Sequence, residues 1–282
     1  MSEEDVFRRR ELPTRGVAIE FVHKPAGPER KRDYRRYHLA ELGGDGNGER
    51  RELVSVTTIL GDVVPKHLAG WAEREGVAGA VRAAREGRLD GIAAEDAVTI
   101  VRELGYGQDA SRDRSGLRGR GVHKAIEHYV KTGTIPSLAD FPPAWHGVLR
   151  ALAGWILRYM PEPLAAEVLV AHGELGYGGT YDLRAELVDG RKMLVDFKTK
   201  TRPRVFFENY LQLAGYDLAA QWCGEEPADG LMVVSLGANG RYIDREAFAG
   251  IAEIWPTAVE WRRSYVPLRA IHDRVERELA AA

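Results

Sequence analysis

"GGTYDLRAELVDGRKMLVDFKTK", residues 178–200, reads as two β-strands joined by a tight turn. A three-residue turn with Gly190 in the left-handed conformation would place Asp182 opposite Asp196, whereas a two-residue Asp-Gly turn would place Asp182 opposite Phe197. A shift of one residue exchanges the two faces of a strand, and only the three-residue turn collects the apolar side chains on one face. That face carries Tyr181, Leu183, Ala185, Leu187, Met193, Val195 and Phe197.

The other face of the predicted hairpin is mostly charged. It would bring the Cβ atoms of Asp182 and Asp196 to about 5 Å from each other, and Lys198 leaves the same face two residues on. Two facing carboxylates repel each other, and a divalent cation between them removes the repulsion. Carboxylates that hold Mg²⁺ or Mn²⁺ beside a lysine suit phosphodiester hydrolysis. The alternative is a solvated face with cross-strand ion pairs, and on either interpretation we expect this face to be wet.

Other stretches could complete such a site. In the predicted helix FFENYLQLAGYDLAAQW, Gln212 and Tyr216 lie four residues apart and share a face outside the apolar stripe, so both could hydrogen-bond to phosphate or to Lys198. His123 follows the basic stretch RGRGV at the predicted start of a helix. Glu167 opens the strand before the hairpin. Either of these two could supply a metal ligand or be an ordinary surface residue.

The order of the predicted elements indicates an α/β protein. Residues 1–64 are predicted to form a β-rich extension with strands in GVAIEFVH, DYRRYHLAEL and ELVSVTTIL, separated by the loops PAGPERKRD and GGDGNGE. Residues 65–160 are predicted to form a helical portion, in which a glycine- and arginine-rich loop leads to the helix GVHKAIEHYVKTG, capped by Gly133. Residues 161–282 form a core of strands with one crossover helix and two C-terminal helices, and residues 65–282 are expected to be one compact unit.

Composition sets outer limits on function. The chain has 282 residues, of which 44% are hydrophobic and 29% charged, with a formal net charge of −2. This is an ordinary globular composition, with no apolar run near the roughly 20 residues that span a bilayer. The N-terminal stretch MSEEDVFRRR lacks the apolar segment of a signal peptide. We therefore expect a cytoplasmic protein without a membrane partner.

The number of cysteines and the positions of the arginines further limit the functions that the chain can have. Cys223 is the only cysteine, which excludes an internal disulfide framework, a cysteine-rich zinc site and a four-cysteine iron–sulfur cluster. Basic residues cluster at Arg8, Arg9, Arg10 and Arg15, at residues 30–36 and at residues 112–120. Each cluster could follow a phosphate backbone or be a solvated surface.

A zinc hydrolase is a weaker alternative. The stretch HKAIEH places His123, Glu127 and His128 on one helix. The inverted zinc motif has two residues between the first histidine and the glutamate, whereas this chain has three. His128 also lies five residues from His123, which points it away. A salt bridge of Glu127 on a solvated helix face is expected instead.

Four short motifs occur in order along the chain: RGRGVH, ending at His123; GGTYD, ending at Asp182; DFK, from Asp196 to Lys198; and QLAGY, from Gln212 to Tyr216. Together, on suitable elements, they resemble the PD-(D/E)XK nuclease superfamily. The likeness is to its RecB-type exonuclease branch, which includes CRISPR-associated adaptation exonucleases, phage exonucleases and the mitochondrial genome-maintenance exonuclease. The resemblance covers roughly residues 54–240.

This resemblance implies a restriction-endonuclease-like α/β fold, with a mixed central sheet flanked by helices, a helical N-terminal portion and a small N-terminal β-element. It implies that the ligands of Mg²⁺ or Mn²⁺ are His123, Asp182, Asp196 and the main-chain carbonyl of Phe197. Lys198 would be the catalytic lysine, and Gln212 and Tyr216 would support the site and touch DNA. We further expect Arg118 and Arg120, close to His123, to bind nucleic acid. Because one cysteine cannot hold an iron–sulfur cluster, the comparison favours the cluster-free phage and mitochondrial members.

The implied activity is hydrolysis of DNA from single-stranded ends, in recombination, repair or phage DNA processing. Such an enzyme would work in the cytoplasm of a bacterial or phage-infected cell, and recombination or single-strand-binding proteins are further candidate partners. Two alternatives stay open: a structure-specific endonuclease of the same fold, and a nucleic-acid-binding module without catalysis.

Overall fold

One mixed sheet organises the protein. The computed structural model describes residues 6–24, 34–42, 50–64, 69–106 and 108–281. The strands are β1 (Val6–Leu12), β2 (Val17–Lys24), β3 (Tyr34–Glu41), β4 (Arg50–Ser55), β5 (Glu162–His172), β6 (Tyr177–Glu186), β7 (Lys192–Lys200), β8 (Gly230–Gly237) and β9 (Tyr242–Glu246). They pair in the order β1-β2-β3-β4-β6-β7-β8-β9, and β5 also pairs with β6. The β4–β6 and β7–β8 pairs are parallel and the others are antiparallel.

Helices cover both faces of this sheet. Within the same residues they are α1 (Val56–Val63), α2 (Ala69–Arg85), α3 (Ala94–Glu103), α4 (Gln108–Thr132), α5 (His146–Tyr159), α6 (Phe207–Trp222) and α7 (Ile251–Ala281). Apolar residues of α4 and α5 pack on one face, and those of α1, α6 and α7 pack on the other. The expected mixed α/β architecture is thus confirmed, whereas the finer restriction-endonuclease-like topology stays a prediction. Among the described residues, no helix is long and apolar enough to cross a membrane.

The register of the β6–β7 hairpin is the one that the hydrophobic pattern predicts. Leu183 pairs with Val195 and Ala185 with Met193, and this register places Asp182 opposite Asp196. The turn has three residues and ends at Gly190, whose φ of 83° is in the left-handed region that favours glycine. The alternation of apolar side chains therefore sufficed to select the turn.

The expectation that the second face of this hairpin is wet is wrong. Asp182 is only 8% exposed and Asp196 only 1%. Apolar residues of α6 pack over this face beside Leu194, while Leu183 and Val195 pack on the other. Strand alternation shows which residues share a face, but it does not show whether another element covers that face.

One residue of the hairpin changes face relative to the prediction. Alternation places Tyr181 with Leu183, but the ring of Tyr181 packs with the cluster under α6. Its hydroxyl donates to Glu225, which also accepts from Arg184. The β6–β7 ladder begins at Leu183, so Tyr181 lies just before the part of the strand to which the pattern applies.

The N-terminal strand assignments need one correction. The stretch ELVSVTTIL is strand only as far as Ser55, and helix α1 begins at Val56. The Ser55 side chain accepts a hydrogen bond from the amide of Thr58, which is a standard N-cap that the β-branched sequence conceals. The expected loops PAGPERKRD and GGDGNGE lie outside the described residues.

The glycine- and arginine-rich stretch before His123 is helix, not loop. Helix α4 begins at Gln108, so His123 lies well inside it rather than at its start. The expected cap is confirmed, because Gly133 has a φ of 67° and its amide donates to the carbonyl of Tyr129. Glycine lowers helix propensity by only about 1 kcal/mol, which packing of Val122 in the core can offset.

The C-terminal end also differs from the prediction. One helix, α7, stands where two are expected, and it contains Pro256 and Pro267. Two strands, β1 and β9, were not predicted at all. Both are at the ends of the strand order, where each has a single neighbour and a weaker apolar pattern.

Candidate metal and catalytic site

Strand β6 changes partners along one of its edges. Ser55 of β4 pairs with Gly178 near the start of β6, and β7 takes over from Leu183 onward. Asp182 lies where the two ladders diverge, and its Oδ2 accepts a hydrogen bond of 2.8 Å from the amide of Phe197. A carboxylate therefore substitutes for a main-chain acceptor at the point where the sheet splits.

Three side chains with metal-binding groups converge beside this split. Nδ1 of His123 lies 2.5 Å from Oε1 of Glu167 and 3.9 Å from Oδ1 of Asp182. One donor atom from each residue lies within 4.8 Å of the other two. We call these three residues the acidic–imidazole cluster. The expected ligands His123 and Asp182 are thus together, and Glu167, for which the sequence left two interpretations, lies with them.

Strand β5 brings Glu167 to this position. Ala166 pairs with Leu183 and Val168 with Tyr181, so Glu167 lies across from Asp182. Its φ is 52°, a left-handed conformation that few residues other than glycine adopt. Such local strain persists only where surrounding structure enforces it, and it is enriched at functional sites.

Helix α4 carries His123 to the same point. Its neighbours Val122, Ala125 and Ile126 are buried against the sheet. Gly121 lets the helix approach Trp145, because a Cβ on this glycine would lie 2.4 Å from the indole ring. The buried face of α4 and its close approach to Trp145 together determine where along the strands His123 lies.

Asp196 is paired differently from Asp182. Nζ of Lys198 lies 2.7 Å from one carboxylate oxygen of Asp196 and 2.6 Å from the other. Asp196 is therefore not a member of the acidic–imidazole cluster, although its charge still acts on Asp182. The three groups predicted from the hairpin are brought together, but as an ion pair next to a three-residue cluster rather than as two equivalent carboxylates.

The protonation states of Asp182 and His123 reflect their burial and the charges around them. Burial raises the pKa of Asp182, and the negative charge of Asp196 adds to it, so that the pKa reaches about 7 in spite of His123 and Lys198. Burial lowers the pKa of His123, but the hydrogen bond with Glu167 and the neighbouring carboxylate charges outweigh it and raise that pKa to about 9. Without a cation the cluster therefore retains protons that a cation would displace.

Gln212 and Tyr216 share a face of α6, as predicted, but both are core residues. Gln212 is 9% exposed and Tyr216 is 5% exposed, and the amide of Gln212 donates to the hydroxyl of Tyr216 over 3.0 Å. Gly179 makes room for this tyrosine, since a Cβ there would lie 2.5 Å from the ring. Burial raises the pKa of Tyr216, and the charge of Asp196 raises it further, so the phenol lies within electrostatic reach of the site.

Strand β3 and strand β1 add residues that the sequence did not single out. The hydroxyl of Tyr37 lies 3.3 Å from that of Thr180, and Arg8 donates to the main-chain carbonyl of Glu167. Burial raises the pKa of Tyr37, with a smaller contribution from the charge of Glu167. No sequence signal identifies these contacts, because they depend on how the N-terminal strands pack against β5 and β6.

Of the three basic clusters, the one at residues 30–36 lies partly outside the described residues, and the other two differ in their contacts. In the N-terminal cluster, Arg9 pairs with Glu20 and Arg10 with Glu225, so both guanidinium groups are engaged within the protein. On α4, Arg118 is half-buried and Arg120 exposed, within two turns of His123. Their expected role in binding nucleic acid stays a prediction.

The zinc alternative gains no support. His128 contacts Thr134 at 3.3 Å, and Glu127 forms an ion pair of 2.7 Å with Lys131 one helical turn on. This is the solvated helix-face salt bridge that the spacing predicts. His128 therefore takes no part in the group around His123.

The donor set of the cluster suits a hard divalent cation. Two carboxylates favour Mg²⁺ or Mn²⁺, and an imidazole nitrogen shifts the preference towards Mn²⁺. Burial and the repulsion from Asp196 raise the pKa of Asp182, and a cation bound there would offset both. The main-chain carbonyl expected from Phe197 stays a prediction, since the structure relates this residue to Asp182 through its amide.

No protein-family model matches this chain, and no curated protein matches its sequence significantly.

Proposed function

We propose that this protein is a Mg²⁺- or Mn²⁺-dependent deoxyribonuclease of the PD-(D/E)XK type that hydrolyses phosphodiester bonds at single-stranded DNA ends. The observation that supports it best is the group formed by His123, Glu167 and Asp182, with the Asp196–Lys198 ion pair on the adjoining strand. Recombination, repair or phage DNA processing would be its setting, in the cytoplasm of a bacterial or phage-infected cell.

Each residue has a role that follows from its contacts. Asp182, Glu167 and His123 would hold the cation, and Asp196 would join them once Lys198 moves from its carboxylate to the substrate. A bound Mg²⁺ or Mn²⁺ would supply Lewis acidity and lower the pKa of a coordinated water. The amine of Lys198 would then orient the scissile phosphate or the attacking water.

The buried polar pair on α6 positions the site from beneath. Gln212 donates to Tyr216, and the charge of Asp196 raises the pKa of Tyr216, so in this proposal the pair supports that carboxylate. They are positioning residues in this proposal. Direct contact with DNA is less suited to them, because both are more than nine-tenths buried.

The test is cleavage of end-labelled single- and double-stranded DNA, linear and circular, with Mn²⁺, with Mg²⁺ and with EDTA. The wild-type chain should cut linear single strands when Mn²⁺ or Mg²⁺ is present and should not cut them in EDTA. Asp182→Asn, Asp196→Asn and Lys198→Met should each lower the rate at least about 100-fold, because each removes several kcal/mol of transition-state stabilisation.

Two residues on the same hairpin provide matched controls. Glu186 and Lys192 pair across the strands away from the cluster, so Glu186→Gln and Lys192→Met should cut like wild type. Cleavage by Asp196→Asn at the wild-type rate would refute the proposal. Metal-independent binding without any cutting would indicate the non-catalytic module, and cutting of circular strands would indicate an endonuclease.

A further inference from the structure

An exposed surface lies at the end of strand β7, beyond the candidate site. It runs from the last residue of the strand through the connection into α6 and on to a loop after β9. Its members are Lys200, Arg202, Arg204, Phe206, Phe207 and Phe248. We call this set the aromatic–basic surface. None of its members belongs to the proposed catalytic machinery.

Three phenylalanines make up its apolar part. Phe206, Phe207 and Phe248 are 40%, 47% and 49% exposed. The rings of Phe207 and Phe248 stack at 6.2 Å with an angle of 15° between their planes, and Nζ of Lys200 lies 5.4 Å from the centre of the Phe206 ring. Several large apolar rings grouped at the surface mark a binding surface more often than scattered ones do.

Positive charge accumulates along the connection that follows strand β7. Basic residues occupy every second position from Lys198 to Arg204, and no acidic residue occurs from residue 197 to residue 207. Among the described residues, the side chains of Arg202 and Arg204 have no ion pair or hydrogen bond. By contrast, Arg191 at the other end of β7 pairs with Asp189 and Glu246.

The main chain beneath the surface is held in place. The carbonyl of Lys200 accepts from the amide of Ala238, and the amide of Arg204 donates to the hydroxyl of Ser235, each over 2.9 Å. The amide of Phe206 donates over 2.9 Å to the side chain of Asn209, which is buried. The rings and guanidinium groups are thus presented from an ordered connection, which lowers the entropy lost on binding.

From this combination we infer that the aromatic–basic surface binds a single strand of DNA and guides it to the cluster. The inference deepens the proposed function and rests on it for the identity of the substrate. Unpaired bases stack on aromatic rings and phosphates bind cations, whereas a duplex hides the faces of its bases. An apolar protein partner would be poorly matched to the two guanidinium groups of Arg202 and Arg204, which have no ion pair among the described residues. Lys200 lies two residues beyond Lys198 on β7, so the surface adjoins the candidate site.

Binding can be measured apart from cleavage. Fluorescence anisotropy in EDTA would follow a labelled oligothymidylate and, separately, a duplex of equal length. Phe206→Ala/Phe207→Ala/Phe248→Ala should weaken single-strand binding at least about tenfold, since loss of one base–aromatic stack costs roughly 5- to 150-fold in affinity. Its effect on the duplex should be under about twofold.

The arginines have a separate readout. For Arg202→Ala/Arg204→Ala, the slope of log K against log salt should fall by about 1.4, because each phosphate contact on a single strand contributes about 0.7. Phe7, 57% exposed on β1 at the opposite edge of the sheet, supplies the matched control. Phe7→Ala should bind the oligothymidylate like wild type.

The outcomes separate this inference from the proposed function. Tenfold weaker single-strand binding by the triple variant supports the surface even if wild type never cuts DNA, in which case only the nuclease proposal fails. If the wild type cuts DNA in a metal-dependent way but the triple variant binds single strands as tightly as wild type, only the inference about the aromatic–basic surface is overturned. Three other results would also overturn the inference. The triple variant could lose affinity equally for single strand and duplex, or Phe7→Ala could lose as much affinity as the triple variant. The wild type could also self-associate through this surface, with self-association lost in the triple variant while DNA binding persists.

Discussion

At the scale of single residues, the carboxyl group of Asp182 determines how the site responds to pH. It is buried next to the carboxylate of Asp196, and its own proton relieves their repulsion. His123 holds a second proton through Glu167 and the surrounding negative charge. Both groups bind protons more tightly in the folded chain than in the unfolded one, so their titration is coupled to stability.

The metal-free protein should therefore lose stability as the pH rises. The contribution of Asp182 is complete below its unfolded pKa of 3.8 and is lost as the pH rises through about 7. That of His123 is complete below 6.5 and is lost as the pH rises through about 9. Calorimetry in EDTA should show Tm lower at pH 9 than at pH 6 by at least roughly 2 °C, the shift that about 1 kcal/mol produces in a large domain.

A single substitution and a cation give the controls for this prediction. Asp182→Asn keeps an acceptor for the Phe197 amide but removes the charge, so its Tm should vary less over the same pH range. Saturating Mn²⁺ should flatten the wild-type curve, because cation binding requires the deprotonated groups. A Tm that rises from pH 6 to pH 9 in EDTA would contradict the assignment of both protons.

Residue identity alone could predict only part of this site. Asp182, Asp196 and Lys198 were found because strand alternation and a turn determine their relative positions. Glu167 was left ambiguous, since its role depends on a left-handed backbone that brings it to His123 from another strand. Tyr37 carried no signal, because its contact with Thr180 spans 143 residues of chain.

At the scale of elements, the β6–β7 turn links sequence to register most directly. Gly190 has a φ of 83°, and a Cβ added to it would meet no atom within 4 Å. Any effect of a substitution there therefore comes from the left-handed backbone conformation and not from a clash with another residue. Because the register places Asp182 opposite Asp196, the turn also supports the site.

Gly190→Ala should destabilise the protein by about 1–2 kcal/mol, the cost of a left-handed conformation for a residue with a Cβ. Urea unfolding would measure this change. Gly61 gives the matched control, because it lies inside helix α1 with open space around its would-be Cβ. Gly61→Ala should stabilise the protein by about 0.5–1 kcal/mol. Opposite signs for the two variants would confirm the turn; a neutral Gly190→Ala would argue for another turn conformation.

Element identity was predictable where one signal dominated and not where two competed. The apolar periodicity of α6 meets no competing signal, and the helix begins one residue into the predicted stretch FFENYLQLAGYDLAAQW and ends with it. In α4 the glycines and arginines indicate a loop, but the buried face of Val122, Ala125 and Ile126 stabilises a helix. At Ser55 a side-chain cap ends the strand that β-branched residues would otherwise extend.

At the scale of the whole molecule, helices cover both faces of the sheet, and this explains why Asp182 and Asp196 are buried. The sequence predicted a polar face on the hairpin, and α6 covers that face through contacts that no local pattern records. The interior of the molecule thus places charged groups where their electrostatic interactions are strong. The same burial isolates the only cysteine of the chain.

Cys223 can therefore report on unfolding of the entire sheet. It follows α6 directly, is 7% exposed, and its Sγ lies 3.4 Å from both the amide nitrogen and the carbonyl oxygen of Ala171 on β5. Burial raises the pKa of its thiol, so little reactive thiolate forms near neutral pH. Reaction with a thiol reagent at pH 8 should be at least about 1000-fold slower in the native protein than in urea, because opening of a core position costs 4 kcal/mol or more.

The cation connects this reactivity to the site. If Cys223 reacts only when the sheet opens, Mn²⁺ that binds the folded chain should slow labelling further, by a factor that grows with metal concentration. Asp182→Asn, with its weakened cation site, should label at a rate that hardly depends on Mn²⁺. Rapid labelling of the native protein, unaffected by the metal, would instead show that the end of α6 separates from β5 while the cluster stays assembled.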